Sequence, residues 1–285
     1  MGTSTRNGGQ TGHSPLIPTW LPEEGEPTTA IPVNNVEQEA PLESTIQPQS
    51  FITPIPPNAD SLRFSGVKRS ITRYITDGGR DSGVLKRGLS RYVKKALGGN
   101  ANATKRLGAA SNSTAAFYDV LSVLSGDGGV RAVALHFSID KLEGLQASEF
   151  FIKIADSICP DGGTNNEGIA RSAYFDVIAD NPEIMDKKIE NLNTEEIEII
   201  LQKYITKVIM QKLLNDVANK IIRIPENIDE VTRLEEQIEQ LIEQNVADSF
   251  AQVKQQYGSI TDAKTKDITD TVYRRTYATL ERAGA

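Results

Sequence analysis

The chain has 285 residues, 38% of them hydrophobic, with one cysteine and a formal net charge of −7. No apolar run approaches the ~18 residues that cross a bilayer, and a lone cysteine closes no internal disulfide, so the sequence argues against a helical membrane protein and a disulfide-stapled secreted domain. The front end also lacks the basic and apolar regions of a signal peptide, and the expected compartment is the cytoplasm.

Residues 1–59 show neither helical period nor strand alternation, and ten of the 13 prolines lie before residue 58. Proline removes backbone donors and fixes φ, and so polar a stretch cannot bury enough apolar surface to offset its ordering entropy. A disordered Pro/Gly-rich tail is therefore expected over 1–59. Its second residue carries chemistry. Removal of Met1 leaves a glycine α-amine with a pKa near ~7.7–8.0, against ~10.4 for lysine, so it is some few hundred-fold more deprotonated near neutral pH. Glycine has no Cβ to obstruct an electrophile, which makes Gly2 the best acylation target in the chain. N-myristoylation is disfavoured, because Arg6 stands where that signal has Ser or Thr.

From Asp60 the pattern turns helical. Leu62, Phe64, Val67, Ile71, Tyr74 and Ile75 recur near every 3.6 residues and predict a helix that Gly78-Gly79 ends. A second helix is expected from Asp81 or Ser82 to Leu97, stopped by Gly98-Gly99, and a third over 101–124. Residues 130–145 are ambiguous between a short strand and a buried helix, with His136 read as a core residue. Helices follow over 147–159, 166–179 and briefly after Pro182, then over 194–222, where Pro225 stops the pattern. Val231, Leu234, Ile238 and Leu241 form a heptad-like seam of about two heptads. A last, mostly polar helix spans 261–282. The fold class is thus mainly α, a helical body behind the tail, with a basic segment 60–125 and an acidic region 126–285 that are compatible with one domain.

The net charge conceals this segmentation. Residues 63–106 hold twelve basic against two acidic residues. Arg69 and Arg73 stand one turn apart, as do Arg87, Arg91 and Lys94 or Lys95, and each set shares a helix face. With Arg80, Lys105 and Arg106 they suit phosphate backbones. They equally suit an acidic protein surface, or simply a solvated face. No catalytic constellation appears. Gly126-Asp127-Gly128-Gly129 lacks the Gly-Lys-Ser/Thr of a P-loop, and two histidines with one cysteine offer no zinc site. Cys159, before Pro160, reads as a small buried filler. No enzyme activity, metal or cofactor is expected.

Two blocks carry a resemblance. The first is Gly2-Thr3-Ser4, the glycine-rich run to Gly12, and Pro15-Leu16-Ile17-Pro18-Thr19-Trp20. The second is Gly78-Gly79-Arg80, Arg91-Tyr92-Val93, Gly98-Gly99 and Lys105-Arg106-Leu107-Gly108-Ala109. Together they cover roughly the first 125 residues and resemble the QatB family of the bacterial Qat anti-phage system; the C-terminal half carries no such motif. The resemblance implies a four-part operon with a QatA-type ATPase, a QueC-like enzyme (QatC-type) and a TatD-like nuclease (QatD-type) as partners. It also implies that the QueC-like enzyme conjugates a deazaguanine to Gly2, with Thr3, Ser4, Pro15, Leu16, Ile17, Pro18 and Trp20 as the stretch that enzyme reads. Two alternatives stay open: a helical nucleic-acid-binding module using residues 63–106, and an assembly scaffold.

Overall fold

Glycines punctuate the front of the helical body. The computed structural model describes residues 60–126, 128–218, 228–257 and 265–284. The expected tail, residues 1–59, lies outside them. Helices α1 (Asp60–Arg63) and α2 (Ser65–Thr76) follow the first apolar stripe, and α2 buries Val67, Ser70, Ile71 and Tyr74. Gly78 and Gly79 take φ of 63° and 71°, a conformation that favours glycine, and reverse the chain. Asp81 caps α3 (Ser82–Arg91), its carboxylate accepting from the amides of Gly83 and Val84 at 2.9 and 3.2 Å. The helix then widens into one π turn, Tyr92–Ala96, before Gly98 and Gly99 end it.

The single helix expected over 101–124 is two, α4 (Asn100–Lys105) and α5 (Ala109–Ser125). Gly108 between them has φ 52° and ψ −119°, which no helix can contain. Residues 130–145 resolve as α6 (Gly129–Phe137) and a loop, not a strand. Val130 and Val133 turn inward while Leu135 is left 76% exposed, a helical rather than an alternating pattern. His136 is therefore not a core residue. Its side chain is 53% exposed, with Nε2 3.8 Å from an Asp119 carboxylate oxygen.

Downstream run α7 (Ala147–Ile158), α8 (Asn165–Ala179), α9 (Pro182–Met185) and α10 (Thr194–Ala218). The start of α8 is a capping box, in which Thr164 Oγ1 accepts from the Glu167 amide at 3.3 Å and Glu167 accepts from the Thr164 amide at 2.9 Å. The last two helices are α11 (Ile228–Tyr257) and α12 (Thr265–Arg282). α11 buries Leu234, Ile238, Ile242, Asn245, Val246, Ser249, Phe250 and Val253, and Leu241 packs partly buried against the same core. These positions continue the three-and-four spacing of Leu234, Ile238 and Leu241 along a helix that packs on α10 and α12, with Val231 only partly buried.

The final helix proves central. α12 packs against α11, α5, α4, α3 and the π turn, and buries Ile268, Val272, Tyr273, Tyr277 and Leu280. Beside it, Phe117 meets Phe151, Tyr174 and Tyr204 edge-on at centroid distances of 5.7, 5.1 and 5.1 Å. Such pairs favour edge-to-face contact because ring faces are negative and edges positive. Cys159 lies in the same core, 1% exposed, with Sγ 3.4 Å from Tyr204 Oη, and burial pushes its thiol pKa up. It is the buried filler that its context predicts. The described residues fall in one compact unit. Among them there is no strand, only an isolated antiparallel bridge between Gln146 and Lys188. No helix among them is long and apolar enough to cross a membrane.

Candidate anion-binding face

The basic segment folds as a helical hairpin laid on the rest of the body. α2 and α3 cross where Gly88 meets Ser70: a Cβ on Gly88 would stand 3.1 Å from Ser70 Cβ. That close approach lets Arg91 Nη1 donate to Ser70 Oγ at 2.7 Å, with Arg91 Cδ passing 3.7 Å from where a Gly66 Cβ would stand. Arg91 therefore reaches from the row of cations on α3 across to Gly66 and Ser70 on α2.

The hairpin is held from outside. At its tip Tyr74 Oη donates to Gln237 Oε1 at 2.6 Å, and Arg233 Nη2 donates to the Gly78 carbonyl at 3.2 Å. At the π turn Tyr92 Oη donates to Asp216 Oδ2 of α10 at 2.8 Å, and Lys212 Nζ lies 3.2 Å from the other Asp216 oxygen. Burial, reinforced by Tyr277 and the Asp216 charge, raises the Tyr92 pKa well above the usual phenol range, so it stays a donor. Near the end of α3, Ser90 Oγ donates to the Glu281 carbonyl at 2.5 Å, and Glu281 Oε2 accepts from Asn100 Nδ2 at 2.9 Å.

The predicted cations differ in what they touch. Arg69, Arg80, Lys94, Lys95 and Lys105 are exposed and make no ion pair with a described acid. Arg73 lies 3.9 Å from Asp77 and Arg87 3.8 Å from Asp81, both contacts largely solvated and worth little. Arg91 is exposed but tied to Ser70. Arg106 differs from all of them: it is half-buried and its Nε donates to the Leu97 carbonyl at 3.2 Å, fastening the end of the π turn. Exposed guanidinium and ammonium groups without partners can bind oxyanions through charge-assisted hydrogen bonds. Gly2, Thr3, Ser4, Pro15, Leu16, Ile17, Pro18 and Trp20 all lie outside the described residues.

Sequence reasoning missed two cations on α12, Lys266 and Arg274, which stand beside Lys105. Their spacing puts them on one helix stripe, but nothing local says which distant segment that stripe meets. Among the described residues no group of three or more His, Cys, Asp or Glu is placed to hold a metal ion.

A family model described as "Qat anti-phage system associated protein QatB" matches residues 98–280. The match runs from the end of the π turn through α12 and so lies mostly beyond the blocks that carry the sequence resemblance. Among curated proteins and among solved structures, none matches.

Proposed function

The chain belongs to the QatB family of Qat anti-phage system associated proteins, and from that premise we propose that it is a non-catalytic component of the Qat defence complex whose Gly2 amine accepts a deazaguanine-type group from a QueC-like enzyme. The family match carries the defence role and the association with other Qat components. The finer reading is supported by the start Gly2-Thr3-Ser4 and by the nucleophilicity of an unhindered α-amine. The chemistry balances without a catalytic group from this chain. The enzyme joins a carboxylate to ATP, releasing pyrophosphate and forming an acyl adenylate. The Gly2 nitrogen attacks that carbonyl, an amide bond forms, AMP leaves, and the amine proton passes to solvent.

Intact-mass measurement of the full chain, produced with and without the QueC-like enzyme, tests the assignment. The expected result is a mass increment that maps to the N-terminal peptide and disappears in Gly2→Pro, whose secondary amine is hindered. An unchanged mass in the presence of an active enzyme overturns it.

A second reading, nucleic-acid binding by the α2–α3 hairpin, is favoured by the exposed, unpaired Arg69, Arg80, Lys94 and Lys95. Because Arg91 also fastens α2 to α3, the informative substitutions are Arg69→Glu, Arg80→Glu and Lys94→Glu. Together they should remove salt-dependent DNA or RNA binding; binding retained in the triple variant excludes this face.

A further inference from the structure

Lys105 ends α4, and α12 brings Lys266 and Arg274 beside it from the other end of the chain. With Ser111, Asn112 and Asp270 these side chains line an open recess of about 350 Å³ at the α4–α5 junction. Some of its polar groups are already engaged. Asp270 Oδ1 accepts from Ser111 Oγ at 2.6 Å, and Lys266 Nζ donates to Asn112 Oδ1 at 2.9 Å. Lys105 and Arg274 are not: both are exposed, and neither pairs with any described acid. The recess thus holds three cations against one carboxylate that is tied to a hydroxyl.

The charge of the recess comes from its side chains. Gly108 precedes α5, whose first turn meets the recess through Ser111 and Asn112, and the Ala110, Ser111 and Asn112 amides already donate to the Leu107 and Gly108 carbonyls at 3.0, 3.1 and 3.4 Å. Gly108 itself sits at φ 52°, and a Cβ there would come 3.1 Å from Asn166 Nδ2. Asn166 in turn donates to the Arg106 carbonyl at 3.1 Å, so the α4–α5 corner is braced by α8.

We propose that this recess binds a phosphate group, with Arg274 and Lys105 as its direct ligands and Lys266 as a third, outer cation. A guanidinium offers a planar fork to two phosphate oxygens, an ammonium supplies a point charge, and a tetrahedral phosphate presents its non-bridging oxygens in different directions to two neighbouring free cations. A carboxylate holds both of its oxygens in one plane. The site is separate from Gly2 and stands whether or not Gly2 is conjugated. The phosphate can belong to a free nucleotide or to a nucleic-acid backbone, and the chemistry is shared.

Two probes separate these sources, both used with the full-length protein. Calorimetry with ATP tests a free nucleotide. Fluorescence anisotropy with a single-stranded DNA oligonucleotide, titrated at several salt concentrations, tests a backbone. The variants are Lys105→Glu/Arg274→Glu and the milder Lys105→Ala/Arg274→Ala, each checked for an unchanged thermal midpoint; both residues are exposed, so the fold should tolerate them. Arg69→Glu/Lys94→Glu on the hairpin is the comparison.

A nucleotide site requires ATP binding that weakens at least about tenfold in the recess variants, equivalent to ~1.4 kcal/mol, and not in the hairpin variant. A backbone site requires weaker DNA binding in the recess variants, with the log–log salt slope reduced by about 0.7 for each phosphate that is no longer neutralised. Absence of binding to both probes at low salt overturns the proposal. So does binding that the recess variants leave unchanged, or a preference for polyglutamate over both phosphate probes.

Discussion

Tyr92 and Asp216, separated by 124 positions, share a 2.8 Å hydrogen bond that fastens the basic π turn to α10. Tyr92 is 2% exposed, and the same carboxylate also holds Lys212 at 3.2 Å. Tyr92→Phe should destabilise the body by about 1–2 kcal/mol, because Asp216 loses a buried donor while keeping its lysine. Asp216→Ala should cost more, since it leaves both the phenol and the ammonium unpaired in a poorly solvated place. Urea unfolding followed by circular dichroism measures both, and equal stability of the three proteins would show that the π turn is held by packing alone.

Gly79 and Gly99 separate strain from crowding. Both occupy positive φ, 71° and 91°. A Cβ on Gly79 would fall 2.4 Å from Gln237 Oε1 and 2.7 Å from Leu234 Cδ2, whereas Gly99 has open space. Gly99 has φ 91° with ψ 167°, a region open essentially only to glycine, so Gly99→Ala should cost about 1–3 kcal/mol from backbone strain alone. Gly79→Ala should add to its own strain of about 1–2 kcal/mol the cost of displacing Gln237 and repacking Leu234 on α11. Denaturant midpoints measure both; a Gly79→Ala cost no larger than about 1 kcal/mol would mean that the hairpin tip does not rest on α11.

Cys159 should behave as an inert core thiol. Its burial and raised pKa remove both access and thiolate character. In native buffer a disulfide reagent should modify it only at the rate of opening, and adding denaturant should expose one equivalent at once. Fast stoichiometric labelling of folded protein would contradict the position of α7 against α10.

Glu196 sets a pH dependence near the start of α10. The Lys187 side chain and then the Asn193 amide, at 3.1 Å, hold its pKa below the ordinary glutamate value of 4.5. A lowered folded pKa contributes stability that is fully present above the unfolded value and is lost as pH falls through the folded one. Glu196→Gln should therefore be less stable than the parent at neutral pH, and the gap should close at acid pH below both values. Thermal midpoints measured from pH 7 down to pH 3 follow it, and a gap that stays constant would exclude the carboxylate charge as its source.

Local chemistry made much of this body readable in advance. The apolar spacing of the helices expected over 147–159 and 166–179, the glycine pairs after α2 and the π turn, and the cationic run from Arg63 to Arg106 all depend on residues within one or two turns of each other. The family resemblance was legible at the front, although the family match lies mainly behind it. Periodicity, capping and charge density need no knowledge of what stands across the core. The break at Gly108 and the exposure of His136 were harder, because each follows from how a helix is set against its neighbours. The place of α12 could only emerge on folding. Its sequence is largely polar, yet α3, α4, α5 and α11 close around its narrow line of Ile268, Val272, Tyr273, Tyr277 and Leu280. That docking brings Arg274 to Lys105. The juxtaposition comes from the summed packing free energy of several helices, a quantity that no short window of the chain contains.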